Sequence, residues 1–346
     1  MDSSLTVTVD IEPTNRCNAK CHFCPRDQTP HQGLMTQAVF DQTMARVVEL
    51  GQVNASGFQQ QLKISLCGLG EPLLNPKTPG FVRQIRELGL ECVMSSNAAL
   101  LDERRGAALL DAGLQQININ VGDRDDDYEQ VYKLPFHKTR DNVLRFAEMA
   151  KGRCEVHIVL VDFRRDREHI KKMVHYWRDL GLENFVFFDI MNRGGALFVD
   201  HMQFEAYPEL AEAQAMLDAK GGDAFCGAPF VFLFVGYNGQ YYLCCSDWKK
   251  EVPLGSVFDK SFRSVTLQKL DHVMNRESIC KTCNWDPLNR LTEELRAVNA
   301  GESDTGKADA LADQLIGLSR TLSDAIQNSP DLQAFAPKKR IPVTAV

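Results

Sequence analysis

LKISLCGLGEPLLNPKTPGFVRQIRELGLECVMSSNAALLDERRGAALLDAGLQQININV, residues 62–121, decides the fold. Three short apolar runs, Leu62–Cys67, Glu91–Ser95 and Gln116–Val121, alternate with two longer amphipathic segments, Pro79–Leu88 and Asp102–Ala112. The first kind has strand length and the second helix length. Gly89 and Gly113 stand just past the helical segments, where a left-handed C-cap is wanted. Strand–helix–strand repetition of this kind demands a parallel sheet with right-handed crossovers.

The alternation extends both ways. Upstream lie a strand, Leu5–Ile11, and a helix, Gln37–Leu50, closed by Gly51. Downstream come a helix at Thr139–Ala150, a strand at Glu155–Val161, a helix at Arg167–Leu180 and a strand at Asn184–Ile190, with Gly152 and Gly181 after the helices. Several strands are near-continuous in Val, Ile and Phe, which predicts cover on both faces. Six strand–helix units fall two short of a closed eight-fold barrel. The expected class is α/β, a partial (β/α)6 TIM-like barrel over residues 1–200; an open doubly wound sheet gives the same string.

The pattern then changes. Residues 201–222 read as a linker helix (Tyr207–Lys220) ending at a Gly221-Gly222 hinge. Residues 223–290 carry a hairpin, Val231–Val235 and Gln240–Leu243, turned by Gly236-Tyr237-Asn238-Gly239. Five of the chain's 11 cysteines lie there, so this stretch reads as a small metal-stapled module. Residues 291–346 hold a polar linker, a C-terminal helix (Ala308–Gln327) and a loose tail with Lys338-Lys339-Arg340.

A net charge of -7 argues against a nucleic-acid scaffold, whose footprint is basic. No apolar run reaches the length of a membrane span. The start, MDSSLTVTVDIEP, lacks the basic-then-apolar order of a secretory signal, so the expected location is the cytoplasm. In a reducing compartment, clustered thiols hold metal more often than they form disulfides.

Cys17, Cys21 and Cys24 stand in CNAKCHFC, directly after the first strand. Structural zinc wants four closed ligands, and an iron–sulfur cube that only carries electrons also takes four from the protein. Three thiolates leave one metal position open. Cys226, Cys244, Cys280 and Cys283 form a second set, CX17C…CX2C, whose spacing suits zinc or a cube equally. Cys245 is left over beside Cys244, and CX12GX4C through Gly239 favours Cys244 as the ligand. Cys67, Cys92 and Cys154 read as core.

CX3CX2C with an aromatic Phe23 before the third cysteine, set in EPTNRCNAKCHFCPRD, resembles the signature of the radical S-adenosylmethionine (SAM) superfamily. The second set resembles that family's SPASM module in its shortened, one-cluster twitch form, because Asn289 stands where a further cysteine would fall. The resemblance covers roughly residues 5–290. It implies a SAM-binding [4Fe–4S] cluster on Cys17, Cys21 and Cys24, an auxiliary [4Fe–4S] cluster, and SAM chelated at the open iron. Cys67-Gly68-Leu69-Gly70-Glu71-Pro72 resembles the Gly-Gly-Glu motif that holds the SAM amino group, with Glu71 as its neighbour and Gly68 and Gly70 permitting close backbone approach. Asn97 and Asn120 stand where ribose and carboxylate contacts are expected, Asn97 being the better candidate. Arg193 suits a carboxylate partner or an ordinary solvated loop. Cys245 reads as a small buried hydrophobe or as a hydrogen-atom donor. The implied chemistry is reduction by flavodoxin or ferredoxin, cleavage of SAM to a 5′-deoxyadenosyl radical, and hydrogen abstraction from a small sugar-like molecule in a specialised, antibiotic-type biosynthesis. Dehydrogenation leads, with epimerisation or decarboxylation as other outcomes. Modification of a peptide or protein side chain is the alternative.

Overall fold

The computed structural model describes residues 6–29, 31–53, 61–194, 196–197, 203–222, 224–276 and 279–328. The tail and its basic run therefore lie outside the described residues. Six strands run parallel in sequence order: β1 (Thr6–Ile11), β2 (Gln61–Leu66), β3 (Glu91–Ser96), β4 (Gln116–Asn120), β5 (Glu155–Asp162) and β6 (Asn184–Asp189). The helices between them are α1 (Gln37–Val53), α2 (Thr78–Glu87), α3 (Glu103–Asp111), α4 (Asp125–Tyr132), α5 (Phe136–Ala150) and α6 (Arg167–Asp179). This is the expected partial barrel. Asp102 and Asp166 cap α3 and α6 by accepting from Arg105 N (2.8 Å) and His169 N (3.0 Å). α4, which buries Tyr128, Val131 and Tyr132 at helical spacing, is an element beyond those expected. α1 continues through Gly51 to Val53.

The strands are two-faced. Val7, Val9 and Ile11 of β1, Ile64 and Leu66 of β2, Ile117 and Ile119 of β4, and Ile158 and Leu160 of β5 are at most 3% exposed and share one core with Phe40, Phe81, Leu109, Phe146 and Trp177 of the helices. Register puts polar residues on the inner face: Asp10 beside Ser65, and Asn118 between Ser95 and His157. Cover on both faces, expected from composition, holds for β3 and β5, whose inner-face Val93 (2% exposed) and Val159 (4%) are buried too; that inner face carries the polar residues as well.

The second half does not hang off a linker. After α7 (Glu209–Ala219) and the short α8 (Ala228–Val231), β7 (Phe232–Val235) pairs parallel with β1, and β8 (Gln240–Tyr242) and β9 (Pro253–Ser256) follow antiparallel. One nine-stranded sheet results, in the order β6-β5-β4-β3-β2-β1-β7-β8-β9. Then come α9 (Phe262–Met274), α10 (Ile279–Thr282), α11 (Pro287–Asn299) and α12 (Thr305–Asn328). Ala213 and Leu217 of α7, Leu288, Leu291 and Leu295 of α11 and Ala308, Ala312 and Leu315 of α12 form a separate buried cluster. The Gly221-Gly222 pair is a helix C-cap (Gly221 φ +79°) pressed against Ile316, 2.9 Å from where a Gly222 Cβ would sit.

Candidate iron–sulfur and SAM site

The loop after β1 is built around its own side chains. Thr14 Oγ1 donates to Gly33 O (2.6 Å), while Asn15 accepts from Gly33 N (2.8 Å) and donates to His31 O (2.8 Å), pinning the loop's two ends. Lys20 N and His22 N donate to Tyr132 O and Val131 O of α4. Phe23 stacks on Phe163 (4.9 Å) and meets Tyr132 edge-on (5.6 Å). Arg26 donates to Cys17 O (3.2 Å). The loop thereby holds Cys17, Cys21 and Cys24 together. Burial pushes the Cys17 thiol up to about 11, and burial together with the charges of Cys24 and Cys17 raises Cys21 further. Such thiols ionise only against a cation. The donor set therefore fits a metal cluster. Among the described residues no three His, Cys, Asp or Glu side chains close on a single ion; the ligands of a cube each meet a different iron.

The β2 loop leans on this one. A Cβ on Gly70 would lie 2.3 Å from Thr14 O and 2.4 Å from Arg16 O, and one on Gly68 (φ +141°) would lie 2.7 Å from the Glu12 side chain. Only glycine permits the approach. Glu71 is 1% exposed, and three donors of the chain engage its carboxylate: Leu73 N (3.1 Å), Ser96 Oγ (2.9 Å) and Asn97 N (2.8 Å). It ties the end of β3 to the β2 loop; burial holds its pKa at about 6. Asn97 in turn donates to Asn18 Oδ1 (2.9 Å) and to Cys17 Sγ (3.7 Å), which sets it against the cysteine loop. Asn120 stays half-buried on the inner face of β4.

In the second half, Cys280 and Cys283 form a knuckle on α10, with Cys283 N donating to Cys280 O (3.3 Å). Asn289, fully buried, donates to Cys280 O, Lys281 O and Cys283 O (3.2, 3.0 and 2.8 Å) and accepts from Arg276 (2.9 Å). Burial raises the Cys226 thiol, and the charges of Cys283 and Cys280 add to it; Cys244 is raised by burial, then by Cys245, Cys283 and Cys226. Cys226 thus lies within electrostatic reach of Cys280 and Cys283, and Cys244 within reach of Cys226 and Cys283. Cys245 lies beside this set: burial pushes it to about 11, Asp10 and Cys283 add to this and Arg193 opposes it. It shares the inner face with Cys67, whose Sγ donates to Asp10 Oδ1 (3.3 Å). Of the three cysteines expected in the core, Cys92 is fully buried in it, Cys154 is only partly buried at its edge, and Cys67 belongs to the inner face.

Trp248 and Arg193 link the first cysteine loop to the neighbourhood of Cys245. Trp248 clusters with Leu69, Ala196 and Cys24, and its carbonyl accepts from Thr29 Oγ1 (2.8 Å). Arg193 lies 4.9 Å over the Trp248 ring, and its charge acts on both Cys24 and Cys245. Asn192 and Asn284 exchange backbone-to-side-chain bonds of 3.0 and 3.2 Å, locking the strand-six loop to the knuckle.

Sequence reasoning missed Asp10 (7% exposed) and Glu12 (0%). Glu12 accepts from Leu69 N (2.9 Å) and Tyr237 N (3.3 Å), joining the β2 loop to the β7–β8 turn. Their signal was present: TVTVDIE alternates strictly, placing Thr8, Asp10 and Glu12 on one face. Lys250 carried no such signal.

A model of the radical SAM superfamily matches residues 11–176, and one of the SPASM iron–sulfur cluster-binding domain matches residues 226–284. The GTP 3′,8-cyclase of Alkaliphilus metalliredigens is 29% identical over 127 residues, 35% of this chain and 37% of that protein. That of Staphylococcus haemolyticus is 26% identical over 191 residues, 54% and 55% respectively. The chain thus spans between about a third and a half of the curated relatives it matches. In fold it is similar to BtrN in complex with AdoMet and 2-DOIA (TM-score 0.52, 18% identity, 82% of this chain and 94% of that one). It is likewise similar to Streptococcus suis SuiB bound to precursor peptide SuiA (0.56, 14%, 83% and 71%). The chain carries a radical SAM domain followed by a SPASM iron–sulfur cluster-binding domain, which together imply SAM, a SAM-binding [4Fe–4S] cluster and an auxiliary iron–sulfur cluster as cofactors.

Proposed function

We propose that this enzyme oxidises a small, hydroxyl-rich substrate, a sugar, aminocyclitol or sugar nucleoside, at an alcohol carbon. The observation that supports this reading is the polar inner face. Asp10, Ser65, Ser95, Asn118 and Asn120 share it by register, interspersed with Val93, Val159 and Phe234. Hydroxyl and carboxylate groups at fixed spacing suit a polyol, because each substrate hydroxyl can exchange its bond to water for one to the protein.

In this reading Cys17, Cys21 and Cys24 hold the first cluster, and Cys226, Cys244, Cys280 and Cys283 hold the second. When bound, the first cluster and SAM supply a radical able to take a hydrogen atom from an unactivated carbon, and the second supplies a one-electron acceptor. Gly68 and Gly70 let the β2 loop backbone approach the SAM amino group, and Asn97 and Asn120 contact its ribose and carboxylate. Arg193 faces an anionic group of SAM or substrate. Asp10 accepts a substrate hydroxyl proton, and Trp248 and Leu69 exclude water. Cys245 stands ready as a hydrogen-atom donor where the outcome is epimerisation. Flavodoxin or ferredoxin delivers the first electron.

A second reading, modification of a peptide side chain, has one observation in its favour. β6 ends the sheet with Phe187 (52% exposed) and Phe188 (43%) beside a cavity of about 850 Å³ that Trp285 and Arg290 also line. Such an edge suits an extended chain. Anaerobic incubation with SAM, reductant and either aminocyclitols and sugars or unstructured peptides separates the two. The expected result is 5′-deoxyadenosine formation stimulated by a polyol, which loses two mass units. Stimulation by peptides alone would replace the first reading with the second.

A further inference from the structure

Two buried ammonium groups flank the second cysteine set. Lys250 Nζ is buried, has no hydrogen-bond partner among the described residues, and lies 4.2 Å from the Phe234 ring centroid and 4.1 Å from that of Tyr242. Both rings belong to the inner face, since Phe234 registers with Asp10 and Tyr242 with Phe234. A tight loop fixes the lysine. Asp247 N donates to Cys244 O (3.2 Å) and Lys250 N to Asp247 O (3.3 Å), while the Asp247 carboxylate takes Glu251 N (2.8 Å) and Val252 N (2.9 Å). Lys269 of α9 is 2% exposed and donates to Pro229 O (2.9 Å), three residues beyond Cys226. The thiolate charges of Cys244 and Cys245 act on both lysines.

Removing an ammonium from water costs several kcal/mol unless opposite charge offsets it. Carboxylates supply part of that charge: Glu12 and Asp247 act on Lys250 ahead of Cys244 and Cys245, whereas on Lys269 the thiolates of Cys244 and Cys245 act ahead of Asp10. A cube on four thiolates gains one more negative charge on reduction, and fixed cations in a low-dielectric surround favour that state.

We propose that Lys250 and Lys269 are positioning charges that raise the reduction potential of the second cluster, equipping it to accept an electron from a substrate radical. The inference rests on the reading that Cys226, Cys244, Cys280 and Cys283 hold that cluster. The test is a redox titration followed by electron paramagnetic resonance, on the full chain with Cys17, Cys21 and Cys24 replaced by Ala so that one cluster reports. Lys250→Met and Lys269→Met are each expected to weaken cluster reduction at least tenfold, a shift of about 59 mV to lower potential for a one-electron couple. Lys250→Arg is expected to keep the parent value. Unchanged midpoints in both Met variants at parental iron content overturn the proposal. If the Met variants lose iron, Lys250→Gln against Lys250→Arg gives the same reading: a lower midpoint in Gln supports it and equal midpoints overturn it. A parent chain that binds no iron sinks the cysteine assignment itself, and the inference with it.

Discussion

Asp10 is a carboxylate held where water is scarce. It accepts from the Cys67 thiol, yet burial dominates and raises its pKa from 3.8 to about 6, against smaller opposing effects of Cys67, Ser65 and Lys269. A raised folded-state pKa means that the folded chain binds this proton more tightly than the unfolded one. The stability Asp10 contributes is thus complete below about pH 3.8 and is lost as pH rises through about 6. At pH 7.5 the loss is on the order of 3 kcal/mol. Asp10→Asn cannot ionise and escapes it. Urea unfolding of the cluster-free chain should therefore show the variant gaining on wild type between pH 5 and pH 7.5. A constant difference between the two across that range would contradict the account. The alternation of TVTVDIE carries this residue's direction, but not its isolation from water, which the β7–β8 segment and Lys269 supply from more than 200 residues away.

At the scale of elements, the strand–helix alternation was legible because each unit carries its own period, its own cap and its own closing glycine. The second half was legible only in its cysteines. β7 is four residues long and β8 three, too short for a period, so nothing local announces that β7 pairs with β1. The knuckle shows how such short pieces are held. α10 is one turn, and it keeps its shape because Asn289 of α11 donates to two of its carbonyls and to that of Cys283 just past it, while Arg276 bridges Asn289 and Asp286 (2.9 Å each). At this position the sequence shows only a missing cysteine. Asn289→Ala would remove the two amide N–H donors these carbonyls share, at a cost of about 1–3 kcal/mol, although Cys280 O and Cys283 O keep Cys283 N and Asp286 N. Iron and sulfide assays after anaerobic reconstitution should fall from about eight irons per chain to about four. An unchanged count would show that the knuckle holds its shape without Asn289.

The whole molecule is one sheet with two cysteine sets above it, and β1 is the strand they share. β2 takes one edge of β1; β7 takes the other from Thr8 to Ile11, and Glu12 N extends the pairing to Val235 O (3.0 Å). Leu233, Val235, Tyr241, Leu254 and Phe262 are buried in the same core as Val9, Ile64 and Phe40. Trp248 covers Cys24, and Glu12 braces the β2 loop only with Tyr237 in place. The family match stops at residue 176 and resumes at 226, but the physical unit does not divide there. A chain cut after residue 222 would expose the edge of β1, bare an apolar layer and leave the Glu12 carboxylate half satisfied. Such a fragment is expected to aggregate or to fail to take up the first cluster, although Cys17, Cys21 and Cys24 are all present. Reconstituting it anaerobically beside the full chain, with iron counted in the soluble fraction, decides the matter. A soluble fragment holding about four irons would mean that the barrel completes its site alone, and that β7 adds strands to a sheet that did not need them.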